Sequence, residues 1–172
     1  MARSKQSRSA RAELASGREL AFLVLCHLES YAEDERDDAV SLFWRDPPGT
    51  PRASEADADA DMVQQAHAWC QQPAVRAFAE RLVGELVPRW SEIDALIEKT
   101  SRSWRVARMD RVDRNALRLA TVELAHIPET PRPVVLAEVV RLASRYGSER
   151  SGRFVNGVAE ALARSLRPRE KR

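Results

Sequence analysis

The chain has 172 residues, 44% apolar and 31% charged, a composition that builds a folded core and excludes a disordered segment. Its net charge is +2 with two cysteines, too few for a disulfide framework. The longest apolar run, Leu20–Cys26, is far short of the ~18–20 residues of a membrane span.

The polar start, MARSKQSRSARAE, lacks the apolar core of a signal peptide. The expectation is a soluble, reduced, cytoplasmic protein with no membrane partner. Residues 1–10 read as a basic flexible tail and 11–172 as a single helical domain. In the first helix Leu14, Ala21, Leu25 and Leu28 make one apolar stripe at helical spacing, and Leu20, Leu23 and His27 make a second, nearly opposite one. A helix apolar on two sides is either sandwiched in a core or gives one face to a partner.

Asp46-Pro47-Pro48-Gly49-Thr50-Pro51 breaks regular structure, and the acidic SEADADAD that follows is low in complexity. Residues 31–72 break the helical pattern, with short helices at about 38–45 and 57–70, and 46–72 reads as a Pro-rich acidic insertion outside the core. Pro73 opens the next helix, carried by Val75, Phe78, Ala79, Leu82, Val83 and Leu86. Pro88 should kink or restart it, and Trp90, Ile93, Leu96 and Ile97 continue it to about Thr100. Asp110 is placed to cap a helix from Arg111, with Asp113 in its first turn. Pro128 to Pro133 is a loop. A helix with Val135, Val139, Leu142 and Ala143 inward ends at Gly147. The last helix follows, capped by Ser148 or Ser151. No strand pattern and no internal repeat occurs. The reading is all-α, about seven helices in two packed subdomains.

Charge is unevenly spread. Residues 31–61 hold ten acids against three arginines. Residues 102–118 hold six arginines against two acids, and 141–172 nine bases against three acids. Basic tracts of this kind suit a polyanion, or form ordinary solvated helix surface. Arg111, Arg114 and Arg118, at i, i+3 and i+7, project to one outward face, a candidate for phosphate contact. Asp113 and Glu123 fall in or beside the apolar arc of the same helix, where a carboxylate needs a hydrogen bond or an interface. His27 beside Cys26, and His67 near Cys70, lack the spacing of a structural zinc motif. No phosphate loop, nucleophile elbow or HExxH occurs, so no catalytic residue, metal or cofactor is expected. Gly157 lies on the polar face of the last helix beside Arg153 and Arg164. A glycine there costs about 1 kcal/mol relative to alanine, which suggests close approach by RNA or by another helix.

The segments DRNALRLATVEL (113–124) and YGSERSGRFVNGV (146–158), in this order and spacing, resemble the NusB family of bacterial transcription antitermination factors. More weakly, the likeness extends back through 74–100 and to 18–28. The resemblance implies an all-helical, non-enzymatic protein that binds the single-stranded boxA element of ribosomal RNA operon transcripts. It binds together with NusE, a small-subunit ribosomal protein, and reaches other Nus factors and RNA polymerase indirectly. Some family members also form homodimers through the RNA-binding side.

With the basic faces, the resemblance nominates Arg11, Arg18, Arg114, Arg118, Tyr146, Arg150, Arg153, Phe154, Asn156 and Gly157 for RNA. It nominates Asp113, Leu20, Leu23 and His27 for the protein partner. The family's arginine cluster before Arg18 is replaced by Glu13-Leu14-Ala15-Ser16-Gly17, and Arg150 stands at a position that is often acidic. The alternative implied by these departures is a divergent paralogue acting as a protein–protein adaptor.

Overall fold

A computed structural model describes residues 2–46, 57–101 and 104–168, with side chains at 8–46, 64–101 and 104–168. Regular structure among the described residues is helical: α1 (Ala2–Leu28), α2 (Arg36–Arg45), α3 (Asp57–Cys70), α4 (Pro73–Leu86), α5 (Trp90–Ser101), α6 (Arg111–His126), α7 (Arg132–Tyr146) and α8 (Ser151–Leu166), with three short 3-10 turns. The chain divides into two compact units, Met1–Val83 and Gly84–Arg172.

In the first unit, α1 begins at Ala2, so residues 2–10, expected as a tail, continue the helix. Residues 17–22 are buried without interruption, Phe22 among them, and Val24, Leu25 and Leu28 follow, so this stretch of the helix is sandwiched in the core. Leu20 is therefore core and not available to a partner. Leu23 is half-buried and His27 exposed, the latter with its ring 5.2 Å from Tyr31 and 5.9 Å from Phe43. Leu14 is exposed; projecting the helix as a lone cylinder does not show where along its length it is covered. The helices expected at 38–45 and 57–70 are α2 and α3. The intervening 47–56 lie outside the described residues. Ala66, Trp69 and Cys70 are buried at i, i+3 and i+4, so the end of α3 belongs to the core and the insertion does not extend to 72. Burial pushes the Cys70 thiol pKa up, with nearby Arg76 opposing the shift, which keeps the thiol protonated and unreactive.

Gly17 sets a close approach in this unit. A Cβ there would stand 2.9 Å from the Val75 carbonyl oxygen and 3.0 Å from Phe78 Cδ1, so only glycine lets α1 come this near to α4.

In the second unit α6 packs against α5, α7 and α8, and α7 against α8. Asn115 through Leu124 is buried without interruption, because three helices cover a helix with few unpartnered faces. Its buried polar groups bond locally: Thr121 Oγ1 donates to the Leu117 carbonyl at 2.7 Å and Asn115 Nδ2 to the Arg111 carbonyl at 3.0 Å. Glu123 is buried as its place in the apolar arc requires. At the end of α6, Arg167 donates to the carbonyls of Glu123, Leu124, Ile127 and Thr130 at 2.6–2.8 Å. A cation on these carbonyls, two of which also accept backbone N–H groups (Glu123 from Ile127, Ile127 from Thr130), opposes the negative end of the helix dipole.

At Pro88 the helix restarts, as the proline implies, while the starts of α7 and α8 differ from expectation. The kink at Pro88 is a 3-10 turn over Val87–Arg89, since proline has no N–H for the α ladder. Helix α7 starts at Arg132, with Pro133 in its first turn where no N–H is needed. Arg150, not a serine, occupies the N-cap of α8; Ser151 Oγ instead accepts from the Ser148 N–H at 3.0 Å, fixing the turn before the helix.

Gly17→Ala should destabilise the protein by about 1–3 kcal/mol through overpacking. Thermal unfolding of this variant beside the wild type reads the effect.

Candidate nucleic-acid interface

The arginines nominated for RNA fall into two sets. Arg18 and Arg118 are buried, 2% and 5% exposed; this corrects the expectation that Arg118 projects outward and the nomination of Arg18 for RNA. Arg18 lies with its Cζ 5.1 Å from the Phe78 ring centroid. Arg118 makes a forked pair with Asp94, Nε to Oδ1 at 2.7 Å and Nη2 to Oδ2 at 2.8 Å. Its Nη1 donates to Asn115 Oδ1 at 2.9 Å, and its Cζ stands 4.4 Å from the Trp90 centroid. The reason is geometric: residues 111, 114 and 118 do share a helix face, but α5 covers the part of that face where 118 sits. Arg114, half-buried, donates to the Met109 carbonyl at 2.7 Å, and only Arg111 of the three is exposed.

The second set is exposed. Arg11 lies at the surface of α1. Arg150, Arg153, Gly157 and Arg164, at i, i+3, i+7 and i+14, run along one exposed face of α8, with Asn156 beside them. Arg164 pairs with Glu160 at 3.6 Å. A Cβ on Gly157 would have nothing within 4 Å. No helix of this unit therefore requires the glycine, and its backbone lies bare between two arginines. Tyr146 is half-buried, with Arg145 Cζ 5.3 Å from its ring centroid.

Phe154 is half-buried and meets Trp104 edge-on, ring centroids 6.0 Å apart at 72°. Trp104 is 54% exposed. Sequence reasoning gave it no role beyond its place near the motif, since an isolated tryptophan after a helix carries no spacing signal. Both rings line a cavity of about 340 Å³ with Arg108, Asp113 and Arg150 among its walls. Asp113 sits in the first turn of α6, buried, with no hydrogen-bond partner for Oδ1 among the described residues. Burial pushes its carboxyl pKa up; a hydrogen bond from Ser151 works against this and the neighbouring Asp110 charge works with it. Asp110 occupies the N-cap of α6 but makes no side-chain cap bond.

The fold and site define a class: an all-helical protein of two compact units, with exposed arginines and partly exposed aromatic rings together in the second. The NusB family model matches residues 15–164. The transcription antitermination protein NusB of Sorangium cellulosum is 39% identical over 151 residues, covering 88% of this chain and 91% of the relative. That of Anaeromyxobacter dehalogenans is 36% identical, covering 88% and 90%. Among solved structures, NusB of Aquifex aeolicus superposes with a TM-score of 0.64 at 27% identity, covering 93% of this chain and 95% of that one. A chain from the complex of antitermination factors NusB and NusE with double-stranded RNA superposes with a TM-score of 0.60 at 26% identity, covering 90% and 98%. The chain belongs to the NusB family.

Two outcomes follow from the buried groups. Arg118→Ala should lower stability by about 3 kcal/mol, because Asp94 is left without its partner, whereas exposed Arg153→Ala should change it by less than ~0.5 kcal/mol; denaturant unfolding of the pair compares them. For Asp113 the folded-state pKa lies above the unfolded one. The ionised carboxylate therefore weakens the fold above the ordinary aspartate value, and the penalty vanishes as pH falls below it. Asp113→Asn should raise the melting temperature at about pH 7, with the difference closing by about pH 3.

Proposed function

We propose that the protein is a transcription antitermination factor that binds boxA-like RNA of ribosomal RNA operon transcripts together with NusE, through which it joins other Nus factors and RNA polymerase in the cytoplasm. The observation that carries this reading is the exposed face of α8. Arg150 and Arg153 flank Phe154, Asn156 and the bare backbone at Gly157, giving cations for phosphates, a ring for a base and room for a sugar-phosphate chain to lie against the helix. Exposed Arg105, Arg108 and Arg111 extend the charge within the second unit, and Arg11 is an exposed cation of the first. Arg18 and Arg118 act in this reading as supports of the fold, not as phosphate contacts. The relative solved with NusE and double-stranded RNA supports both partners. For NusE, half-buried Leu23 and exposed His27 on α1 remain candidate contacts, whereas Asp113, nominated with them, is buried at the start of α6. No described helix is long and apolar enough to cross a membrane.

The adaptor reading draws on one observation, the burial of Arg18 and Arg118, which takes two cations from the surface. Titration separates the readings. Binding of single-stranded boxA-like RNA, with a scrambled strand and a duplex as controls, is measured with and without NusE over a salt series. The RNA reading predicts a log–log salt slope of about −2 to −3.5, from three to five phosphates at roughly −0.7 each. It also predicts tighter binding with NusE. A flat slope, with NusE still bound, establishes the adaptor. In the same assay Gly157→Ala should weaken RNA binding while raising stability by up to ~1 kcal/mol, since an open helical site gains from alanine.

A further inference from the structure

Residues 104–110 lead into α6 and present two exposed arginines, Arg105 and Arg108. The segment has a single 3-10 turn over Val106–Arg108, so its shape depends on what it is tied to. Val106 and Met109 are buried beneath it, and Arg114 Nη1 donates to the Met109 carbonyl at 2.7 Å. Nearer its start the tie is a carboxylate. Glu98, in the last turn of α5, accepts the Val106 N–H at Oε1, 3.0 Å away. Its Oε2 lies 4.0 Å from Arg105 Nη1. We propose that Glu98 is a positioning residue of the RNA interface. Its bond to the Val106 N–H sets the backbone from which Arg105 and Arg108 reach phosphates beside Arg150.

The inference rests on the RNA-binding reading and names what prepares this segment for it. The two oxygens of Glu98 differ in their hold. The bond to Val106 has hydrogen-bond geometry. The pair with Arg105 is loose, at 4.0 Å with the arginine side chain 80% exposed, and such a pair is worth little. A phosphate can therefore take the Arg105 guanidinium in a shorter, charge-assisted contact while the backbone stays tied. Arg108 lines the same cavity as Arg150, so a segment held in this place adds its cations to those of α8. Cations on an untied segment would have to be ordered when RNA binds, which costs affinity. An acid beside Arg105 also opposes RNA through its charge. The oxygen that holds Val106, not the charge, is what the interface uses, and a glutamine supplies the same oxygen without the charge.

The test uses the full chain and single-stranded boxA-like RNA over a salt series, with melting temperatures measured alongside. Glu98→Ala should weaken RNA binding and flatten the log–log salt slope by about 0.7–1.4, the loss of one or two phosphate contacts at roughly 0.7 each. Glu98→Gln should bind RNA at least as tightly as the wild type, with the wild-type slope. In a chain that already carries Arg105→Ala and Arg108→Ala, both at exposed positions, Glu98→Ala should have no further effect on RNA, because it acts through those side chains. Wild-type affinity and slope in Glu98→Ala overturn the positioning role and leave the RNA reading intact. So does an equal loss in Glu98→Gln, or an equal loss with and without the two arginines. If Glu98→Ala does not fold, the chain with Arg105→Ala and Arg108→Ala decides, and an unchanged salt slope there overturns the role. Failure of the wild type to bind boxA-like RNA overturns both readings.

Discussion

The second unit is organised around one guanidinium. Arg118 is held by both oxygens of Asp94, by Asn115 and by the face of Trp90, so α5 and α6 meet through a charged plane rather than through apolar contact alone. Arginine suits this place because its planar fork matches a carboxylate and stacks on a ring at the same time. Desolvating such a pair offsets much of its attraction, and its effect lies in fixing one arrangement, since any other would strand a charge. With α5 fixed on one side of α6, α7 and α8 close over the rest, and the start of α6 brings Asp113 to the turn that begins α8.

That constraint explains how a chain with many arginines divides them. Arg118 joins helices. Arg167 holds four carbonyls at and beyond the end of α6. Buried Arg132 pairs with Glu160 of α8 at 3.3 Å. Each of these interior arginines meets a carboxylate, carbonyls or a ring, which offsets the burial of a permanent cation. Arg150 and Arg153 have no such partner among the described residues and stand in solvent. A cation without an internal role on a face with a bare helical backbone is available to an external phosphate.

Much of the fold was legible because apolar spacing reports helices directly. The segments at 57–70, 111–127 and 135–146 needed only periodicity and the proline and glycine signals. The interface was legible in part. Gly157 was placed correctly on the polar face of the last helix, and the open space around it removes the helix-packing alternative that the sequence had left standing. Arg118 was misplaced because periodicity gives the face of a helix and not what covers it; the clue was Asp94 with Trp90, four residues apart on the preceding helix. Leu20 was assigned to a partner face because a second apolar stripe fits a partner as well as a core, and here the core covers it. Arg167 was invisible as a capping residue, since its acceptors lie 37–44 positions away in sequence. Trp104 and the unmet oxygen of Asp113 likewise come together only through the packing of α6 and α8.

The division of arginines into structural and RNA-facing sets is tested most directly by side-chain NMR. The Nε–H resonances of all arginines are followed in the full chain as boxA-like RNA is added. The account predicts that Arg150 and Arg153 shift on titration, while Arg118 and Arg167 stay in place and exchange slowly with solvent before and after. Large shifts of Arg118 with none at Arg150 and Arg153 would contradict it.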